Sequence, residues 1–144
     1  MATPSNQIPK IVVVGGGAGG LELVTKLGRK LGRKGKADVT LVDSTHTHIW
    51  KPLLHEVAAG TIDSHEDEIE YLSQAKCSGF RFRLGRMEDL DRSKKQITVA
   101  PTVSEDGIEI IPRRSFDYDY LIISVGSVSH DFNIKGVSEH CLFL

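Results

Sequence analysis

Residues 11–20, which read Ile-Val-Val-Val-Gly-Gly-Gly-Ala-Gly-Gly, decide the fold of this chain. Their four β-branched residues have the length and composition of a buried parallel strand. Behind the glycines, apolar residues recur at helical spacing, at Leu21, Val24, Leu27 and Leu31. The stretch predicts a strand, a tight turn and the beginning of a helix.

Three of the glycines, Gly15, Gly17 and Gly20, match the pattern G-x-G-x-x-G. Gly15 lets the chain turn sharply, Gly17 lets a pyrophosphate approach the backbone, and Gly20 lets the helix pack against the strand. The N-terminus of that helix would direct free N–H groups and a partial positive charge towards the phosphates. The pattern therefore predicts a dinucleotide site, although alone it is a weak signal.

An acidic residue supplies the context that the glycine pattern needs. A second strand pattern covers residues 37–42 and ends on Asp43, which follows Gly20 by 23 residues. That spacing is close to the one expected for a carboxylate that binds a ribose hydroxyl. The alternative is a glycine turn in an unrelated α/β protein, with Asp43 as a solvated strand end.

Length and composition indicate one globular domain. The chain has 144 residues, of which 40% are apolar and 26% charged, and no apolar stretch is long enough to cross a bilayer. We expect residues 1–8 to form a disordered tail and residues 9–144 to form the domain. The net charge of -1 gives no general attraction to nucleic acid. Cys77 and Cys141 lack the spacing of a dithiol motif, so a reducing compartment is expected.

The segment after Asp43 combines histidines with polar and aromatic residues. Three histidines and Glu56 occur here, but their spacing matches no known metal signature, so we predict no metal site. A loop in this position lies at the carboxyl edge of the sheet, where α/β proteins bind their ligands. Lys51 and Pro52 are therefore predicted to lie near the cofactor.

The middle of the chain predicts two further helices and a third parallel strand. One helix is expected to begin at or after Pro52, which suits the first helical position. Another is expected to begin in the acidic residues 63–70 and to end at Gly79. Alternation of aromatic and charged residues over 80–84 predicts the strand.

A β-meander is predicted where a crossover helix would be the simpler expectation. Residues 87–90, 96–100 and 108–111 have strand patterns separated by turn-rich segments, which predicts three antiparallel strands. A final apolar strand over residues 120–125 would join the parallel sheet and bring Gly126 beside the first glycine loop. The fold class is thus α/β, a Rossmann-like domain with a central parallel sheet and an antiparallel insert.

These pieces resemble a known family. The loop at residues 15–20, Asp43 and the strand at residues 120–127 resemble the FAD-binding half of the pyridine nucleotide disulfide oxidoreductases, in which a β-meander replaces a crossover helix. More closely, the chain resembles the bacterial type II NADH:quinone oxidoreductases at Leu41-Val42-Asp43, at Trp50-Lys51-Pro52-Leu53-Leu54-His55-Glu56-Val57, and at Asp131-Phe132-Asn133 with Gly136-Val137.

The resemblance implies FAD as the cofactor and assigns residues to its parts. The glycine loop would hold the pyrophosphate, Asp43 the ribose, and the backbone of Met87 the adenine. Four further residues would lie on the flavin side. The cofactor-binding residues implied in this way are Gly15, Gly17, Ala18, Gly19, Asp43, Lys51, Pro52, Met87, Gly126 and Ser127. No side chain is predicted to act as a catalytic acid or base, because the chemistry belongs to the cofactor.

The resemblance also implies an activity for a longer parent protein. A hydride would pass from NADH to FAD, and electrons would then pass to a membrane quinone of the respiratory chain. This chain is expected to be an N-terminal portion, with the NADH domain and a membrane-binding region beyond residue 144. The parent is expected to be a homodimer bound peripherally at the cytoplasmic face of the inner membrane. Two alternatives stay open: a flavin-dependent reductase of a soluble acceptor, and a non-catalytic dinucleotide-binding module.

Overall fold

The structure is a computed structural model that describes residues 7–48, 56, 59–61, 69–104, 106–127, 130 and 132–141. The strands in these ranges, in chain order, are β1 (Lys10–Val14), β2 (Asp38–Asp43), β3 (Thr47–His48), β4 (Ile69–Glu70), β5 (Arg81–Leu84), β6 (Met87–Asp91), β7 (Gln96–Val99), β8 (Thr102–Val103), β9 (Glu109–Ile111), β10 (Arg114–Asp117) and β11 (Tyr120–Ile123). The helices are α1 (Ala18–Lys30), α2 (Tyr71–Ser78) and α3 (Val137–His140), with a short 3-10 helix at Gly32–Lys34.

A four-stranded parallel sheet organises the domain. Its order is β11-β1-β2-β5, so β1, the strand that precedes the glycine loop, has β2 on one side and β11 on the other. In this register Val12 lies between Leu121 and Thr40. The predicted parallel sheet, including the place of the last strand beside β1, is confirmed.

The parallel sheet is covered on both faces, which explains the unbroken apolar run of β1. On one face, Val13 packs in a cluster with Val24 of α1 and Tyr71 of α2. On the other face, Val12 and Val14 pack against the apolar side chains of β7. A strand buried on both sides has no solvent face, so polar residues do not alternate along it.

The second cover is an antiparallel sheet of order β10-β7-β6, which lies in the connection between β5 and β11. The predicted strands at residues 87–90, 96–100 and 108–111 are all present, but the placement of the last one in this sheet is wrong. Residues Glu109–Ile111 pair instead with β8 in an exposed two-stranded ribbon. The third strand is β10, because its Phe116 lies opposite Ile97 and packs in the core between the two sheets.

The start of α2 also differs from the prediction. The helix begins at Tyr71, and its first turn contains no acidic residue, since Ile69 and Glu70 pair as a short strand with β3. Gly79 ends the helix in the left-handed conformation, as predicted, with φ of 78°. The acidic residues 63–68 and the helix predicted from Pro52 lie outside the described residues.

The outer edge of β11 predicts association of this 144-residue chain when it is produced alone. No other strand in the described ranges pairs with that edge, and Tyr120, Ile123 and Val125 are 62%, 52% and 65% exposed. An open strand edge with apolar side chains favours pairing with a second copy. Light scattering over a concentration series should therefore detect dimers or larger species.

Two lysine substitutions localise the association. Tyr120→Lys places a charge on the edge strand and should weaken the assembly, whereas Ile110→Lys, at a side chain that is 64% exposed on the β8-β9 ribbon, should leave it unchanged. A monodisperse wild-type monomer at all concentrations would contradict the prediction.

Candidate functional site

The turn after β1 can be built only with glycine at two positions. Gly15 has φ of 97°, and a Cβ placed on it would collide with the backbone carbonyl of Ser124. A Cβ on Gly20 would collide with the carbonyl oxygen of Gly15. The Gly15 N–H donates to the carbonyl oxygen of Val42 at 2.8 Å, which ties the turn to β2. The sharp turn and the close helix–strand packing expected from the glycine pattern are both present.

Two further glycines of the loop, Gly17 and Gly19, border open space. A Cβ on Gly17 or Gly19 would meet no protein atom within 4 Å. Gly17 precedes the first residue of α1, and no side chain caps that helix end. The leading N–H groups of a helix have no partner within the helix, so this end can receive an anion. The space that a side chain would fill is therefore available to a phosphate group.

A cleft of about 1040 Å³ opens at the carboxyl ends of β1, β2 and β11. It lies where ligands of open α/β sheets bind, and its volume is large enough for a dinucleotide. The cleft brings together all of the predicted cofactor residues that the structure describes, namely Gly15, Gly17, Ala18, Gly19, Asp43, Met87, Gly126 and Ser127. The predicted residues Lys51 and Pro52 lie outside the described part of the chain.

Asp43 is tied to the glycine loop. Its Oδ2 accepts the Gly16 N–H at 2.5 Å, and its Oδ1 accepts both the backbone N–H and the hydroxyl of Thr45 at 2.9 Å. A carboxylate offers about four lone-pair positions, so capacity remains for a further donor. The arrangement differs from a solvated strand end, since the carboxylate connects β2 to the loop that follows β1.

Tyr71 completes the support of this loop and was not predicted as a site residue. The side chain is 2% exposed, its ring packs against Phe82 with 5.2 Å between centroids, and its hydroxyl donates to the carbonyl oxygen of Gly16 at 2.8 Å. Burial and the nearby Asp43 carboxylate raise the pKa of Tyr71 to about 12. The hydroxyl is therefore protonated at neutral pH and acts as a donor.

Residues after β11 and β5 form the other walls of the cleft. The Ser124 hydroxyl lies 2.8 Å from the Gly15 carbonyl oxygen and 3.0 Å from that of Val14, and Gly126 has φ of 70°. Arg86 lines the cleft next to Met87 and is exposed. Ser124 and Arg86 were missed by the sequence analysis, because neither belongs to a pattern and only the sheet order brings them here.

The described ranges contain neither a candidate metal cluster nor a helix that could span a membrane. Within them, no group of three or more His, Cys, Asp or Glu side chains is arranged to hold a metal ion. No helix in the same ranges has the length and apolar character that a membrane span requires.

The parallel sheet, glycine loop and cleft define the chain as a dinucleotide-binding α/β domain. The chain belongs to the family described as pyridine nucleotide-disulphide oxidoreductase, whose sequence model matches residues 9–144. This is the family that the glycine loop and Asp43 resemble.

Individual relatives agree with the family. The chain is 48% identical to the type II NADH:quinone oxidoreductase of Haemophilus influenzae over 134 residues, which cover 93% of this chain and 30% of that protein. It is 29% identical over 131 residues to the protein of the same name from Staphylococcus epidermidis, covering 91% and 29% of the two chains. The chain thus spans about 30% of the length of these relatives.

A solved structure has the same fold. NDH2 from Plasmodium falciparum in complex with NADH superimposes with a TM-score of 0.73 at 24% identity, over 92% of this chain and 25% of that chain. The sulfide:quinone oxidoreductase of Aquifex aeolicus superimposes with a TM-score of 0.68 at 20% identity, over 91% and 27% of the two chains. This chain therefore shares its fold with NDH2 and with a sulfide:quinone oxidoreductase, which are proteins of different names.

Gly17→Val is expected to abolish dinucleotide binding and to leave the sheet formed. The Cβ of the new side chain would meet no protein atom within 4 Å, and the side chain would enter the open space beside the loop that a pyrophosphate is expected to occupy. FAD binding can be followed by flavin fluorescence, and folding by circular dichroism.

Gly20→Ala is the matched control for this change. Its Cβ would collide with the Gly15 carbonyl, so this variant should lose stability as well as binding. Unchanged FAD affinity in a folded Gly17→Val protein would remove Gly17 from the site.

Proposed function

We propose that this chain is the FAD-binding part of a type II NADH:quinone oxidoreductase. The proposed activity is hydride transfer from NADH to FAD, followed by transfer of electrons to a quinone of the respiratory chain. The observation that supports the proposal most directly is a dinucleotide cleft in a chain that is 48% identical to a relative of that name. The relative is longer than this chain, so the activity is proposed for the parent protein.

The residues of the cleft fit the adenine half of FAD. The open space at Gly17 and Gly19 suits a pyrophosphate, and the uncapped start of α1 offers N–H donors to it. The remaining acceptor capacity of Asp43 suits a ribose hydroxyl. Met87 lines the same cleft, where its backbone can contact the adenine. Gly126 and Ser127 line it beyond β11, on the side proposed for the flavin.

The protein contributes position and electrostatics to this chemistry. FAD, when bound, supplies the ability to accept a hydride and return electrons, so the chain needs no acid or base of its own. We therefore propose no catalytic side chain in this part of the parent. The glycine loop and Asp43 bind the cofactor, and the sheet holds them at fixed separations.

We also propose that the parent is a homodimer at the cytoplasmic face of the inner membrane. Quinones dissolve in the bilayer and NADH dissolves in the cytoplasm, so an enzyme that uses both has to work at their boundary. The region that binds the membrane would lie outside this chain. The exposed apolar edge of β11 supports contact with further polypeptide.

A spectrum and an assay on the purified parent protein test the proposed function. We expect a visible flavin absorbance band and NADH oxidation that depends on an added quinone. The 144-residue chain alone should not oxidise NADH, since it contains one glycine pattern of this kind and two nucleotides must bind. A yellow parent that reduces only a soluble acceptor would favour the reductase alternative. A colourless parent that still binds nucleotide would favour the binding module.

Asp43→Ala is expected to weaken FAD binding without changing the acceptor that the parent uses. A hydrogen bond to a charged group contributes roughly 1.5 to 3 kcal/mol, so the dissociation constant should rise about ten- to hundredfold. Titration with FAD measures the change.

Asp38→Ala is the control for this experiment, because Asp38 begins the same strand and its carboxylate pairs with Arg81 at 3.1 Å, away from the cleft. The control should bind FAD like the wild type. An effect of Asp43→Ala below about twofold would contradict a ribose role for Asp43.

A further inference from the structure

The two peptide groups that flank the Cα of Gly16 are each held by a residue distant in sequence. Its N–H donates to Asp43 at 2.5 Å, and its carbonyl oxygen accepts from the Tyr71 hydroxyl at 2.8 Å. Gly16 itself is buried, so its polar groups need partners inside the protein. Both groups have a partner in the loop conformation that the structure shows.

From this geometry we infer that Tyr71 is a positioning residue for the dinucleotide: its hydroxyl, by holding the Gly16 carbonyl, orients the Gly17 N–H towards the pyrophosphate. This inference rests on the proposed function, since it concerns the cofactor site of the parent enzyme. The inference gives Tyr71, the first residue of α2, a part in cofactor binding that the pattern G-x-G-x-x-G does not predict.

The orientation follows from the planarity of the peptide bond. The peptide that joins Gly16 to Gly17 is trans, so the Gly16 carbonyl and the Gly17 N–H point in opposite directions. The carbonyl points to the hydroxyl of Tyr71, a residue that is buried and also lines the cleft. The Gly17 N–H therefore points away from Tyr71, and Gly17 borders the cleft.

Tyr71 is itself fixed, so it can fix the loop. Its backbone N–H donates to the His46 carbonyl at 3.0 Å, and its ring lies in the apolar cluster with Phe82. A Cβ on Gly16 would come within 2.5 Å of the Tyr71 ring and hydroxyl, which shows that ring and loop are in direct contact. A tyrosine hydroxyl is protonated at neutral pH even at its ordinary pKa, and burial raises that pKa further, so the hydroxyl remains a donor.

Tyr71→Phe in the full-length parent protein is the test. The substitution keeps the ring and removes only the hydroxyl, which leaves the Gly16 carbonyl without its donor. We expect the dissociation constant for FAD, measured by reconstitution of the apoprotein, to rise about three- to tenfold. Once FAD is saturating, the rate of NADH oxidation should return to that of the wild type, because no reacting group has been removed.

Two control variants separate positioning from general stability. Ala75→Gly weakens the same helix at a buried position that does not line the cleft, so it should lower the melting temperature of the apoprotein while its FAD affinity stays within about twofold of wild type. Tyr120→Phe makes the same chemical change at an exposed tyrosine and should alter neither property. A merely structural role for Tyr71 would make affinity fall equally in Tyr71→Phe and in Ala75→Gly.

The outcomes distinguish this inference from the proposed function. A wild-type parent that binds no FAD overturns the proposed function, and the inference falls with it. A wild type that binds FAD and a Tyr71→Phe variant that binds it equally well overturn the inference alone. If Tyr71→Phe does not fold, Gly16→Ala forces the same contact apart from the other side; unchanged FAD affinity in that variant likewise overturns the inference.

Discussion

The structure depends on how the backbone of one residue, Gly16, is held between a strand end and a helix. Asp43 accepts its N–H from the end of β2, and Tyr71 donates to its carbonyl from the start of α2. A glycine loop is intrinsically free to adopt many conformations, and this freedom must be lost before the loop can bind a phosphate well. The two hydrogen bonds impose the conformation in advance, so the dinucleotide does not have to impose it.

Everything else in the domain brings those two side chains to the loop. The parallel order β11-β1-β2-β5 places the end of β2 beside the end of β1, which delivers Asp43. Packing of α2 on the same sheet face as α1 delivers Tyr71. The antiparallel sheet covers the opposite face with Ile97 and Val99, which are fully buried, and so completes the core on which the cleft stands.

The sequence predicted the parts of this arrangement that depend on local pattern. The apolar run of β1 and the glycines that follow it have direct physical requirements, so the strand, the turn and α1 could be predicted. The position of Asp43 at the cleft could be predicted from its spacing. The prediction of which strand completes the antiparallel sheet was wrong, because residues 108–111 and Arg114–Asp117 both have strand-like sequences. Arg114–Asp117 takes this place because its Phe116 packs in the core.

Tyr71 shows the limit most clearly. In the sequence it is one apolar position at helical spacing, like any residue that faces a core. Its hydroxyl matters because Gly16, which lies 55 residues earlier in the chain, places a carbonyl oxygen within its reach. No local pattern encodes that distance, since it results from the packing of α2 against the sheet.

A crystal structure of the parent protein with its bound dinucleotide tests the central claim most directly. The account predicts that the pyrophosphate accepts hydrogen bonds from the backbone N–H groups that begin at Gly17, while the Tyr71 hydroxyl remains on the Gly16 carbonyl and Asp43 contacts the ribose. A pyrophosphate bound away from this loop, or a Gly16 carbonyl turned away from Tyr71 in the bound state, would contradict it.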